Sequence, residues 1–180
     1  NKPINYGLAF LENYGNHFWG EFLFLSGDDI QRDKVPETGV LYIYDLIFIV
    51  VGLVIIAKKP KGWGAILLWV LVAPVAAALT FQSPHALRAH NMVIPLTIIS
   101  AYGLIKMVEA IRVMRYEMRV ASYVLLVGLV SWSFVRYEHM YWVHMAKEYP
   151  FSSQYGVKEL VSYVRENGNK YDQIMVTDRY

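Results

Sequence analysis

Ser83-Pro84-His85-Ala86-Leu87-Arg88-Ala89-His90-Asn91-Met92-Val93-Ile94-Pro95 is a polar stretch that joins two long apolar ones, Trp63 to Phe81 and Met92 to Leu104. A hydrophilic turn between two such segments belongs at one face of a bilayer, because hydrocarbon offers charged and backbone groups no hydrogen-bond partner. Serine suits an N-cap and proline the first helical position, so the spacing predicts a helix that starts at Pro84. The positive end of its dipole, its orphan N–H groups and Arg88 would then meet at one place, with His85 on the same face. Such an arrangement suits a phosphate. The plainer reading has Arg88 snorkelling to lipid headgroups and the histidines capping the turn.

The rest of the chain agrees with a membrane setting. It has 180 residues, 56% of them hydrophobic, against about 45–50% in soluble domains. The excess is clustered into runs rather than spread, as in membrane spans. There are no cysteines, which excludes disulfides and cysteine-based zinc sites. The chain starts at Asn1 without a signal-type leader and stops after a strand-like run, so it reads as a piece of a longer polypeptide.

A spanning helix needs about 20 apolar residues, and four segments approach that: 39–57, 63–81, 84–107 and 120–135. Trp132, Phe134 and Tyr137 would form an interfacial belt at the last of them. Lys58, Lys59 and Lys61 lie between the first two segments. Lys106, Arg112, Arg115 and Arg119 lie between the last two, and residues 1–38 carry six acids against three bases. The positive-inside rule places both basic loops in the cytoplasm and both ends of the chain outside, in a cell inner or plasma membrane. Residues 1–38 predict an extracytoplasmic loop with an interfacial helix near Ile4 to Tyr14, followed by an apolar dip at Phe22 to Leu25. Residues 39–145 predict the membrane region. From 146 to 180, a helix over Gly156 to Asn167 and a strand over Gln173 to Thr177 predict the start of a small α/β domain outside the membrane. The fold class expected is therefore an all-α polytopic membrane protein with four spans, followed by that domain.

Asp45 lies about two turns into the first segment. An ionisable group inside a span costs at least about 2.5–3.5 kcal/mol, so it needs a partner or a task. The plainer reading has it reach the interface or make a structural ion pair. Asp28, Asp29 and Asp33 do not fit an EF-hand spacing and read as a solvated acidic turn. His85 and His90 are poorly spaced to share a metal, so no metal site is expected. His139 and His144 read as interfacial residues. Pro95 should kink the third span, and Gly103 and Gly128 should allow close helix contact.

Three ordered strings carry a resemblance: Phe22-Leu23-Phe24-Leu25-Ser26-Gly27-Asp28 leading through Arg32 to Gly39-Val40-Leu41-Tyr42; Ser83-Pro84-His85-Ala86-Leu87-Arg88 with Pro95; and Tyr155-Gly156-Val157-Lys158-Glu159 with Tyr171 to Thr177. Together they resemble the C-terminal part of GT-C class integral-membrane glycosyltransferases, nearest the protein O-mannosyltransferase-like group. The resemblance implies transfer of a sugar from a polyprenyl-phosphate donor to an acceptor at the outer face. It implies that Arg88 and His85 hold the donor phosphate, with Asp45, His90 and Asn91 as supporting candidates. The catalytic carboxylate would lie upstream of this chain. No cofactor is implied beyond the lipid-phosphate sugar itself. The partners implied are the bilayer, the polyprenyl-phosphate-linked sugar and an acceptor, with no nucleic acid. Two other readings stand beside this one. The first is a transporter or flippase for a lipid-linked or anionic substrate, using Asp45 and Arg88 as midplane charges and Pro95 as a break. The second is a non-catalytic membrane anchor.

Overall fold

The computed structural model describes residues 2–150 and 156–176, and among these every regular element is helical. The helices are α1 (Lys2–Asn16), α2 (Ile43–Lys58), α3 (Gly64–Val72), α4 (Val75–Ala78), α5 (Val93–Arg112), α6 (Tyr116–His139), α7 (Ala146–Glu148) and α8 (Val157–Asn167).

The centre is the α2–α5 pair. The two run in the same direction, since Asp45 sits beside Ser100 while Phe48 and Gly52 sit beside Gly103. Two glycines make the approach possible. A Cβ on Gly52 would lie 2.5 Å from the Ile99 carbonyl oxygen, and one on Gly103 would run into the Phe48 backbone. Small residues let helix backbones touch in this way. Around the pair, Ile49, Ile56, Leu96 and Ile99 join Val70, Met92, Leu41 and the run Phe22–Phe24 in one core.

Phe22–Phe24 reach that core from a tight helical turn, Glu21–Leu25. The chain then loops out and returns alongside itself. The Val40 N–H donates to the Phe22 carbonyl (3.3 Å) and the Leu41 N–H to the Leu23 carbonyl (2.8 Å). Gly39 is required there, because a Cβ would collide with the Leu23 and Phe24 backbone. This return ties residues 26–38 into a closed excursion. α1 lies across α3 and α4: Tyr14 donates to the Leu71 carbonyl (2.8 Å) and Asn13 to the Ala78 carbonyl (3.2 Å).

Among the described residues two helices, not four, are long and apolar enough to cross a membrane: His90–Arg112 and the continuous run Tyr116–Glu148. The first expected span fails on length. Residues 39–41 are spent on the return pairing, and α2 is left with 16 residues, about 24 Å against a hydrocarbon core of about 30 Å. The second fails at Pro74, which has no N–H to continue the ladder and separates α3 from α4. The fourth is longer than expected and is wound as a π-helix over Met140–Met145.

The α/β domain is not formed either. Val157–Asn167 is helical as expected, but Tyr171–Val176 makes no strand. A strand needs a neighbour to pair with, and none is present among the described residues. Thr177 of the expected strand and Tyr155 lie outside those residues.

Two local expectations also change. Pro95 sits in the first turn of α5, where its missing N–H would have had no partner anyway, so it requires no kink. Gly128 faces open space and supports no helix contact.

Candidate functional site

The third helix does not begin at Pro84. The backbone N–H groups that would have opened it are taken by side chains from far along the chain. The His85 N–H donates to His17 Nε2 (3.3 Å), and the Ala86 N–H donates to Asp28 Oδ2 (2.5 Å). Residues 86–89 form turns, His90–Met92 a short 3-10 turn, and α5 starts at Val93.

This capture assembles a buried polar cluster. His17 is fully buried, Asp28 is 1% exposed and His85 is 5% exposed. His17 Nδ1 lies 2.8 Å from the Asn13 carbonyl oxygen, so Nδ1 carries the proton and Nε2 accepts from His85. Burial holds the His17 imidazole below its ordinary pKa, outweighing the Asn13 bond and the Asp28 charge that favour protonation. Asp28 also accepts the Ile30 N–H through Oδ1 (2.9 Å), closing an Asx turn.

Asp33 completes the group. Its side chain is 7% exposed, and Arg32 Nε lies 3.7 Å from its Oδ1. Ligating atoms of Asp28, Asp33 and His85 all fall within 4.8 Å of one another. His85 Nδ1 lies 3.2 Å from Asp28 Oδ2, yet the direction is wrong for a hydrogen bond. That nitrogen and Asp33 Oδ2 are both buried without a partner. The solvated acidic turn expected at Asp28 and Asp33 is therefore corrected: the closed excursion folds both carboxylates inward, and Asp29 alone of the three is exposed.

The other candidates separate. Arg88 is exposed, with Nη1 donating to Thr80 Oγ1 at 2.8 Å. His85 is turned inward to Asp28, so the two do not present one face as a helix would have made them do. His90 and Asn91 are exposed in the 3-10 turn. Asp45 accepts the Ser100 hydroxyl (2.5 Å) and the Tyr42 N–H (3.1 Å). It caps α2 and bonds α2 to α5 through a neutral hydroxyl, in place of the expected ion pair.

Two clefts of about 390 Å³ each lie nearby. One is lined by Tyr42, Tyr44, Trp132, Ser133, Arg136 and Tyr137. The other borders the polar cluster, with Asp28, Arg32, Asp33, Lys34, Ala86 and Leu87 in its wall. Sequence reasoning missed His17, Thr80 and Arg136. His17 is a lone histidine after an amphipathic helix, and nothing in its spacing marks it. No family model, curated protein or solved structure matches the chain.

Proposed function

We propose that this chain is part of a membrane glycosyltransferase that takes a sugar from a polyprenyl-phosphate donor and passes it to an acceptor at the outer face. The observation that carries this reading is Arg88. Its guanidinium is exposed in the turn just before the apolar helix His90–Arg112, and Thr80 is its hydrogen-bond partner. A cation held there is at the right depth for a lipid phosphate whose prenyl chain lies in the hydrocarbon. As the sugar leaves, negative charge grows on that phosphate, and a fixed guanidinium stabilises it. Thr80 orients the group. The base is assigned to no residue of this chain and would lie in an outer loop nearer the N-terminus of the whole protein.

The basic segment 106–119 is cytoplasmic in this reading, and the Arg88 turn and both ends of the chain are outside. The Asp45–Ser100 bond favours the transferase over a transporter, which would need Asp45 as a mobile charge.

The test is transfer from a radiolabelled polyprenyl-phosphate sugar by the full-length protein in nanodiscs. Removing one donor aimed at developing charge costs about 100–1,000-fold in kcat, so Arg88→Ala should lose about that much and Arg88→Lys less. Unchanged transfer by Arg88→Ala would remove the phosphate role. Movement of labelled lipid across the bilayer without transfer would turn the reading to a flippase.

A further inference from the structure

We infer that Asp28, Asp33 and His85 form a binding site for one divalent transition-type cation. The inference is independent of the glycosyltransferase reading and rests on unpartnered buried atoms.

Two carboxylates and an imidazole converge within 4.8 Å, all with side chains at least nine-tenths buried. Burying charge without compensation is costly. The compensation available from the protein is slight. Arg32 is 70% exposed and approaches Asp33 only at 3.7 Å. Lys34 lines the adjoining cleft. His17 is committed as a neutral ring to Asn13 and the His85 backbone.

The second observation points to a ligand directly. Asp33 Oδ2 and His85 Nδ1 are buried and lack any hydrogen-bond partner, and both belong to the group whose ligating atoms fall within 4.8 Å of one another. A buried polar atom left unpaired costs about 1–3 kcal/mol, and here two such atoms belong to the best metal-ligating groups in the chain. Asp28 is already fixed by two backbone N–H groups. Those bonds set its carboxylate plane, as outer hydrogen bonds do for metal ligands.

The donor set selects the ion. Two carboxylate oxygens and one imidazole nitrogen suit Mn²⁺ or Zn²⁺ better than Mg²⁺ or Ca²⁺, which prefer oxygen alone. Three protein ligands leave coordination positions open toward the cleft that holds Arg32 and Lys34. The rival account is a protonated His85 paired with Asp28 and no metal.

The test uses the full chain in nanodiscs, stripped with EDTA and titrated with Mn²⁺ alone. Free Mn²⁺ is followed by electron paramagnetic resonance, and thermal unfolding is followed in parallel. The wild type should take up one Mn²⁺ per chain and gain thermal stability from it. Asp33→Asn keeps the shape of the side chain and should weaken uptake at least about tenfold, the loss that changes even to outer-shell partners bring. Without metal the same variant should unfold at a temperature no lower than wild type, because it removes an uncompensated carboxylate. Asp29→Asn, at the exposed neighbour, should bind as wild type does. The site is overturned if Mn²⁺ and Zn²⁺ both fail to bind stoichiometrically, as the protonated-His85 account requires. It is equally overturned if Asp33→Asn binds like wild type.

Discussion

His17 shows how one side chain can redirect a helix. Its Nε2 accepts a backbone N–H from 68 residues away, and it can do so only while neutral. Burial keeps it neutral, so the unfolded chain binds that proton more readily than the folded one. Stability is therefore full above the ordinary pKa of 6.5 and falls as pH drops below it, by at most about 1.4 kcal/mol per pH unit. Asp28 and His85 face the same ring, so the contribution of His17 is read as a difference. Unfolding in detergent with EDTA, at pH 7.5 and pH 5.5, should show a larger loss in wild type than in His17→Gln. Equal losses would mean that His17 is not the responsible group. Ser100 poses a simpler test. Ser100→Ala removes the hydroxyl that Asp45 Oδ1 accepts and should cost about 1–3 kcal/mol, the price of a buried acceptor left short. A midpoint unchanged from wild type would contradict the cross-helix role.

At the level of elements, the helix pair depends on where its glycines face. Gly103→Leu should destabilise by about 3 kcal/mol or more, because its Cβ already meets the Phe48 backbone and overpacking a tight contact costs about 1–3 kcal/mol even where side chains can shift. Gly128→Leu, into open space, should change stability little. Unfolding midpoints of the two variants separate contact from mere helix propensity, and similar losses would refute the assignment.

Sequence could not tell these two glycines apart, since both sit in apolar helical runs. It did reveal α1, α8 and the burial of Phe22–Phe24, where periodicity or an apolar run is a local property. It did not reveal the start of α5. Ser83-Pro84 is a sound local start signal, but it lost to His17 and Asp28, partners 68 and 58 residues away. The candidate site divides the same way. The exposure of Arg88 was readable from its place between apolar runs, whereas burial of Asp33 depends on the return pairing of Gly39–Leu41 with Phe22–Phe24, which no spacing encodes.

For the molecule as a whole, the decisive property is apolar surface that nothing among the described residues covers. Val124, Leu125, Val127, Phe134 and Val135 are exposed along α6, and only 6% of the most apolar stretch of Tyr116–Glu148 is buried. On α2 the face away from α5 exposes Leu46, Ile47, Val50, Leu53 and Val54. Water does not tolerate contiguous apolar area of this kind, whereas hydrocarbon does. The proposed orientation then follows from Lys106, Arg112, Arg115 and Arg119 at one end of His90–Arg112 and the Arg88 turn at the other. The absence of cysteine makes this directly measurable. Gln82→Cys and Val113→Cys each introduce a single thiol at an exposed position, and the second leaves all four basic residues in place. In cells treated with a membrane-impermeant maleimide, Gln82→Cys should label at once. Val113→Cys should label only after the membrane is permeabilised. The reverse pattern would put Arg88 on the cytoplasmic side and end the outer-face transferase reading. Immediate labelling of both would show that residues 82 and 113 share the outer side, so that His90–Arg112 does not separate two compartments.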